Sequence, residues 1–180
     1  VLADLALKAS YVGSKGTGLE MRYEGNAALP PGPGAIQTRR IYPRFGNMTT
    51  TGNFANSSYQ SLQVTAEKRF SHGVQFLAGY TWSKAIDPAA GCGGFGAGNF
   101  LPQEPRNFAL ERGRSAHDLR RRFTMSYVWD LPIRFDNRLA QSLLGGWQSS
   151  GIITLQTGFP FTVLVGGDLP NIGAGSNTRA

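Results

Sequence analysis

From Ala3 to Tyr11 the odd positions, Ala3, Leu5, Leu7, Ala9 and Tyr11, are apolar, while Asp4, Lys8 and Ser10 hold most of the even ones. A period of two is what a β-strand with one apolar and one polar side produces. The same period recurs four times. From Tyr59 to Arg69, Leu62, Val64 and Ala66 oppose Ser61, Gln63, Thr65 and Glu67. From Val74 to Trp82 the apolar set is Val74, Phe76, Ala78, Tyr80 and Trp82, with Leu77 alone interrupting the polar side. From Arg122 to Leu131 it is Phe123, Met125, Tyr127, Trp129 and Leu131, and Pro132, which cannot donate to a ladder, ends the run. From Trp147 to Thr157 the alternation is looser, with Ile152 on the polar side, and it resumes from Phe161 to Val165 beyond Gly158-Phe159-Pro160. No long window has apolar residues at helical spacing, so the ordered parts are predicted to be five or six strands.

The connections divide by length. Phe70-Ser71-His72-Gly73 suits a tight hairpin between antiparallel neighbours, and Pro132 to Gly146 is moderate. Gly13 to Ser58 and Ala85 to Arg121 are about forty residues each, long for structureless loops of a compact domain. The periodic runs are about nine to twelve residues, as a tilted membrane strand needs, against roughly 5 or 6 for a typical soluble strand. Tyr11, Tyr80, Trp82 and Phe123 border the long loops, and Phe70, Trp129 and Trp147 border the short turns, as two interfacial girdles would. Phe76 and Tyr127 sit mid-strand and depart from that zoning. Short turns inside and long loops outside is the asymmetry of an outer-membrane barrel. The strands starting at Ala3, Val74 and Trp147 would then run outward, and those starting at Tyr59 and Arg122 inward.

On this reading Lys84 and Arg121 have the side of the lipid-facing residues at the outer strand ends, where long cations reach lipopolysaccharide phosphates, and Lys68 anchors the inner end. Arg120 and Arg122, with Arg112 and Arg114 from the same loop, make either an anion clamp for a ligand or a set of solvated loop charges.

Composition narrows the rest. With 24 Gly, 10 Pro, 41% hydrophobic and 16% charged residues the chain is neither collagen-like nor highly charged and disordered. The longest apolar stretches, such as Phe161 to Val165, are too short for a membrane-spanning helix of about 20 residues. A net charge of +7 from 18 Lys and Arg is dispersed along the chain and avoids the aromatic sides, which argues against nucleic acid. Cys92 is the single cysteine and has no disulfide or metal companion. Gly13-Ser14-Lys15-Gly16-Thr17-Gly18 lacks the order of a phosphate-binding loop, and the two histidines, His72 and His117, form no metal face or triad. No cofactor and no enzymatic activity are expected.

Several stretches in chain order resemble the carboxyl-terminal barrel of TonB-dependent receptors. They are Tyr11-Val12-Gly13-Ser14-Lys15-Gly16, Pro31-Gly32-Pro33-Gly34-Ala35-Ile36-Gln37, Tyr59-Gln60-Ser61-Leu62-Gln63 with Glu67-Lys68-Arg69-Phe70, and Tyr80-Thr81-Trp82-Ser83-Lys84. Glu111-Arg112-Gly113, His117 through Phe123, Leu143 through Gln148 and Gln156 through Phe161 continue the series. The likeness is to the Oar-like branch, whose members carry a carboxypeptidase-regulatory-like amino-terminal domain. It implies a barrel of about 22 strands around a plug. It also implies ligand uptake across the outer membrane driven by the TonB complex, with a structural or adhesive surface role as the alternative. The first residue is Val1 and no leader precedes Asp4, so the chain reads as an internal piece lacking plug and TonB box.

Five or six strands cannot close a barrel, since about eight is the smallest number seen, and open edges invite pairing between chains. Expressed alone in detergent, residues 1–180 are predicted to aggregate; a monodisperse, heat-modifiable monomer would overturn this reading.

Overall fold

The computed structural model describes residues 4–88, 101–133, 136, 145–174 and 177–179. Among them the chain is an antiparallel meander. It contains β1 (Leu5–Glu24), α1 (Ile36–Arg39), β2 (Thr49–Ser71), β3 (Val74–Pro88), a 3-10 turn (Phe108–Glu111), β4 (Arg112–Arg114), β5 (Arg121–Asp130), β6 (Gln148–Gln156), β7 (Leu164–Gly166) and β8 (Asn177–Arg179). One sheet has the order β1-β2-β3-β5-β6 with β4 added to β3, and β7 pairs with β8. The sheet is all-β and unclosed, with β1 and β6 at its edges. No described helix is long and apolar enough to cross a membrane.

The hairpin between β2 and β3 is tighter than its sequence suggests. Phe70 and Ser71 belong to β2, so only His72 and Gly73 turn. Both have positive φ, 53° and 75°, which gives the backbone twist that two-residue hairpins need. Histidine tolerates that region better than most residues, and glycine adopts it freely. Asp130 of β5 donates its backbone N–H to the Gly73 carbonyl at 2.8 Å, so the turn is joined to the next strand but one.

Two loop expectations are corrected. The connection from Gly13 to Ser58 is not all loop, because β1 continues to Glu24 and β2 begins at Thr49. Likewise β3 continues to Pro88, and Arg112–Arg114 form β4 beside it within the expected loop 85–121. The apolar alternation stops near Val12 and Trp82 while the backbone ladder runs on, because pairing does not require an apolar side once neither side is dry. The resumed strand expected from Phe161 is the short β7. Cys92, the start of the first strand at Ala3 and most of the connection from Pro132 to Gly146 lie outside the described residues.

The chain divides into two compact units, one of residues 1–12, 60–83 and 119–158, the other of 13–59, 84–118 and 159–180. The first unit holds the stretches with apolar alternation, and its boundaries fall where that alternation ends. Its register sets Tyr80 opposite Phe123 and Phe123 opposite Leu155, then Ala78, Met125 and Ile153, then Phe76, Tyr127 and Gly151 in successive rows. Opposed residues share a side, so these rows are one continuous apolar side across three strands. On the other side stand Thr81, Arg122 and Gln156, then Gly79, Thr124 and Thr154. On the apolar side Tyr80, Trp82, Trp129, Ile153 and Leu155 are exposed, so among the described residues that side has no core of its own to cover it. The second unit has a small core of Ala27, Ile172 and Ala174, with Leu29 packed on it, and Met21 is also buried.

Tyr127 departs from the girdle zoning for a packing reason. A Cβ placed on Gly151 would meet the Tyr127 ring at 3.2 to 3.4 Å, so the ring lies over the glycine of the neighbouring strand and covers its bare backbone. The Tyr127 hydroxyl also lies 3.4 Å from Ser149 Oγ. Gly151→Val is expected to destabilise the folded protein in detergent by about 1–2 kcal/mol through overpacking. In a urea-unfolding double-mutant cycle the loss should shrink in a Tyr127→Ala background, and strictly additive losses would contradict the contact.

Candidate functional site

Of the residues expected at the membrane interface, Tyr80, Trp82, Arg121, Phe123 and Trp129 fall on one side of β3 and β5. Tyr80 pairs with Phe123, Trp82 with Arg121, and Val74 with Trp129, which in turn pairs with Ser149. Tyr11 of β1 and Trp147, just before β6, are exposed. Trp147 also accepts the Leu131 N–H at 2.8 Å, closing the sheet below Pro132. Lys84 is exposed on β3, two positions beyond Trp82 and on the same side of the strand.

Of the arginines expected to act together, Arg120 and Arg122 belong to the first unit and Arg112 and Arg114 to the second. Arg122 sits in the first unit on the polar side, between Thr81 and Gln156. Arg120 precedes β5, and its carbonyl accepts the Ser83 N–H at 3.0 Å. Arg112 and Arg114 belong to the second unit, where β4 places them opposite Pro88 and Ile86. That puts both on the side of β3 that carries Lys84. Arg114 Nε donates to Asp118 Oδ2 at 2.7 Å, with the carboxylate buried and the arginine side chain 43% exposed. Asp118 Oδ1 accepts the Ala85 N–H at 2.8 Å, so one buried carboxylate ties the chain before β5 to β3 and aims a guanidinium outward.

Arg112 also lines a cleft of about 210 Å³ with Phe54, Asn56, Pro88, Phe108 and Ala109. Phe54 and Phe108 stack at 5.3 Å with 30° between planes, and Tyr23 meets both edge-on at 5.7 and 5.3 Å. Sequence reasoning missed this trio, since Tyr23 and Phe54 lay in what looked like one loop and Phe108 in another. Phe54 does continue the even parity of Leu62 and Val64, which is the signal that was there to be followed. Among the described residues no group of three or more His, Cys, Asp or Glu could hold a metal.

A second feature missed in the sequence is a buried polar network in the second unit. Glu24 and Asn26 are essentially inaccessible to solvent and Arg40 nearly so. Glu24 Oε1 accepts the N–H groups of Asn26 and Met48 at 2.9 and 2.7 Å. Asn26 Nδ2 donates to the carbonyls of Tyr42, Phe45 and Gly46, and its Oδ1 accepts the Tyr42 N–H at 2.8 Å. Arg40 donates to the Asn26 carbonyl at 2.6 Å and to Asn47 Oδ1. From the far end of the chain, the Asn171 side-chain amide donates to the carbonyls of Gly32 and Gly34 at 2.9 Å, and the Asn171 backbone carbonyl accepts from Arg39. Residues 41–48 are thereby fixed at the backbone while Ile41, Tyr42, Phe45 and Met48 stay exposed.

Losing the Asn26 side chain strands four backbone groups at once, three of them carbonyls that share the two hydrogens of Nδ2, and a lost hydrogen bond costs about 1 kcal/mol. Asn26→Ala is therefore expected to let residues 41–48 open, with trypsin cutting after exposed Arg44 at least ~10-fold faster in the detergent-solubilised protein. Cleavage at the wild-type rate would show that Asn26 does not hold the loop.

No curated protein and no solved structure matches the chain. Residues 1–180 match the family described as outer membrane beta barrel domain. That match covers the whole chain and agrees with an antiparallel meander whose apolar side has no core to cover it. The chain belongs to the outer-membrane β-barrel domain family, and its place is the outer membrane.

Proposed function

We propose that the chain forms part of the wall of a TonB-dependent receptor, which takes up a ligand across the outer membrane. The observation that carries this reading is the length of β1, β2 and β3: 20, 23 and 15 residues, against roughly 9 to 11 for a membrane crossing. A barrel serving only as a pore or anchor has no need of strands prolonged into an ordered second unit, whereas a receptor needs a preorganised surface on which to capture its ligand. The ordered series of receptor-like stretches from Tyr11 to Phe161 supports the same reading. Its partners are then the remainder of the barrel and a plug, the TonB complex, and the surrounding lipid and lipopolysaccharide, with no role for nucleic acid, cofactor or catalysis. Tyr11, Tyr80, Trp82, Phe123, Trp129 and Trp147 mark the interfaces, with Lys84 and Arg121 at the outer one.

The rigidly held, exposed Ile41, Tyr42 and Phe45 favour a second reading, a structural or adhesive surface protein that docks to another surface without importing anything. Growth and uptake assays on single limiting nutrients separate the two. For a receptor, deleting the gene and disabling TonB coupling should abolish uptake of the same nutrient to the same extent. Undiminished uptake of every nutrient, combined with altered cell adhesion, would replace the transport reading with the surface one.

A further inference from the structure

Along β3 the positions sharing the side of Tyr80 and Trp82 are next Lys84, Ile86 and Pro88. β4 adds Arg114 opposite Ile86 and Arg112 opposite Pro88. Same-side positions recur roughly every 7 Å along a strand, so Lys84, Arg114 and Arg112 form a row of cations about 13 Å long. The side chains of Lys84 and Arg112 make no ion pair or hydrogen bond among the described residues, and Arg114 is held by Asp118 through Nε. At the far end of the row, Arg112 borders the cleft whose walls include the stacked rings of Phe54 and Phe108 and the Asn56 amide.

We propose that this row and cleft bind the phosphorylated sugar headgroup of an outer-leaflet glycolipid. Phosphate groups bridge Lys84, Arg114 and Arg112, and a sugar ring lies in the cleft against Phe54 and Phe108 with its hydroxyls on Asn56. Guanidinium and ammonium groups spaced along a line match a headgroup bearing more than one phosphate. Aromatic walls with one amide suit a ring that has an apolar face and a polar rim. The side of the strand selects a lipid over a transported solute. In a membrane barrel the side carrying Tyr80, Phe123 and Leu155 is the one that meets hydrocarbon, and cations immediately beyond an aromatic band lie at headgroup level. This deepens the interface reading of Lys84 given above and moves Arg112 and Arg114 from ligand capture to lipid. It rests on outer-membrane membership and is independent of whether the protein transports.

The test uses the intact protein purified in detergent. Its probes are deep-rough lipopolysaccharide, the same material enzymatically dephosphorylated, and glucosamine 1-phosphate as the soluble counterpart, with bound lipid read by native mass spectrometry. Lys84→Gln with Arg112→Gln should weaken lipopolysaccharide binding at least ~10-fold, and Lys84→Arg with Arg112→Lys should restore most of it. Arg114 is left in place so that its pair with Asp118 is preserved. Phe108→Ala should weaken binding of the phosphorylated form further. Equal binding of dephosphorylated lipopolysaccharide would overturn the proposal, as would binding of glucosamine 1-phosphate as tight as that of the lipid. Loss of binding in Lys84→Gln but none in Arg112→Gln would leave the interface reading of Lys84 standing and overturn the cleft. Loss of nutrient uptake without change in lipid binding bears on the transport reading alone.

Discussion

Inside hydrocarbon no water is present to satisfy a backbone N–H or C=O, so each must find its partner in the protein. A sheet meets that demand only through unbroken ladders between neighbours, which is why β5 pairs at nine consecutive positions with β3 and at nine with β6. Once the ladder is fixed, side chains have only two directions. The hydrophobic effect then sorts them, with Phe123, Met125 and Ile153 on one side and Thr124 and Thr154 on the other. The same demand makes the edges at β1 and β6 costly, because a row of unpaired groups there must be completed by further strands.

The second unit is held by different means. Among its described residues it buries few large apolar side chains, leaving Ile41, Tyr42, Phe45, Phe159 and Phe161 exposed, and its core of Ala27, Ile172 and Ala174 is small. Polar side chains inaccessible to solvent take over, and they bond chiefly to backbone. This gives a definite loop conformation where apolar packing could not, because each donor and acceptor accepts only one arrangement. The arrangement is vulnerable to loss of a single member. Glu24 and Arg40 are buried charges 3.9 Å apart, and deleting one partner of such a pair costs about 3–5 kcal/mol by stranding the other.

How much of this was legible follows from the same division. Where one side of a strand meets an apolar medium, composition alternates and the strand is visible, so the expected 122–131 and 147–157 differ from β5 and β6 by one residue at each end. Where both sides are wet, Gly16, Thr17 and Gly18 carry no period, so the parts of β1 beyond Val12 and of β2 before Tyr59 leave no strand signal in the sequence. The polar network could not be read locally at all, since Asn171 meets Gly32 and Gly34 across 139 and 137 residues of sequence. The sidedness of Arg112 and Arg114 was hidden for a related reason. A residue in a loop has no side, and these two acquire one only through their register with Ile86 and Pro88.

That last point bears on how charge in such a wall should be interpreted. A run like Arg120-Arg121-Arg122 looks like one basic patch in sequence, yet strand geometry sends Arg121 toward Trp82 on one side and Arg122 toward Thr81 and Gln156 on the other. Conversely Lys84 shares a side with Arg112 and Arg114, which lie far from it in sequence. The functional unit in a β-wall is therefore the same-side row across paired strands, because a ligand or lipid approaching from one side meets only every second residue of each strand. Clusters counted along the chain mix two chemically separate surfaces, and the register is what separates them.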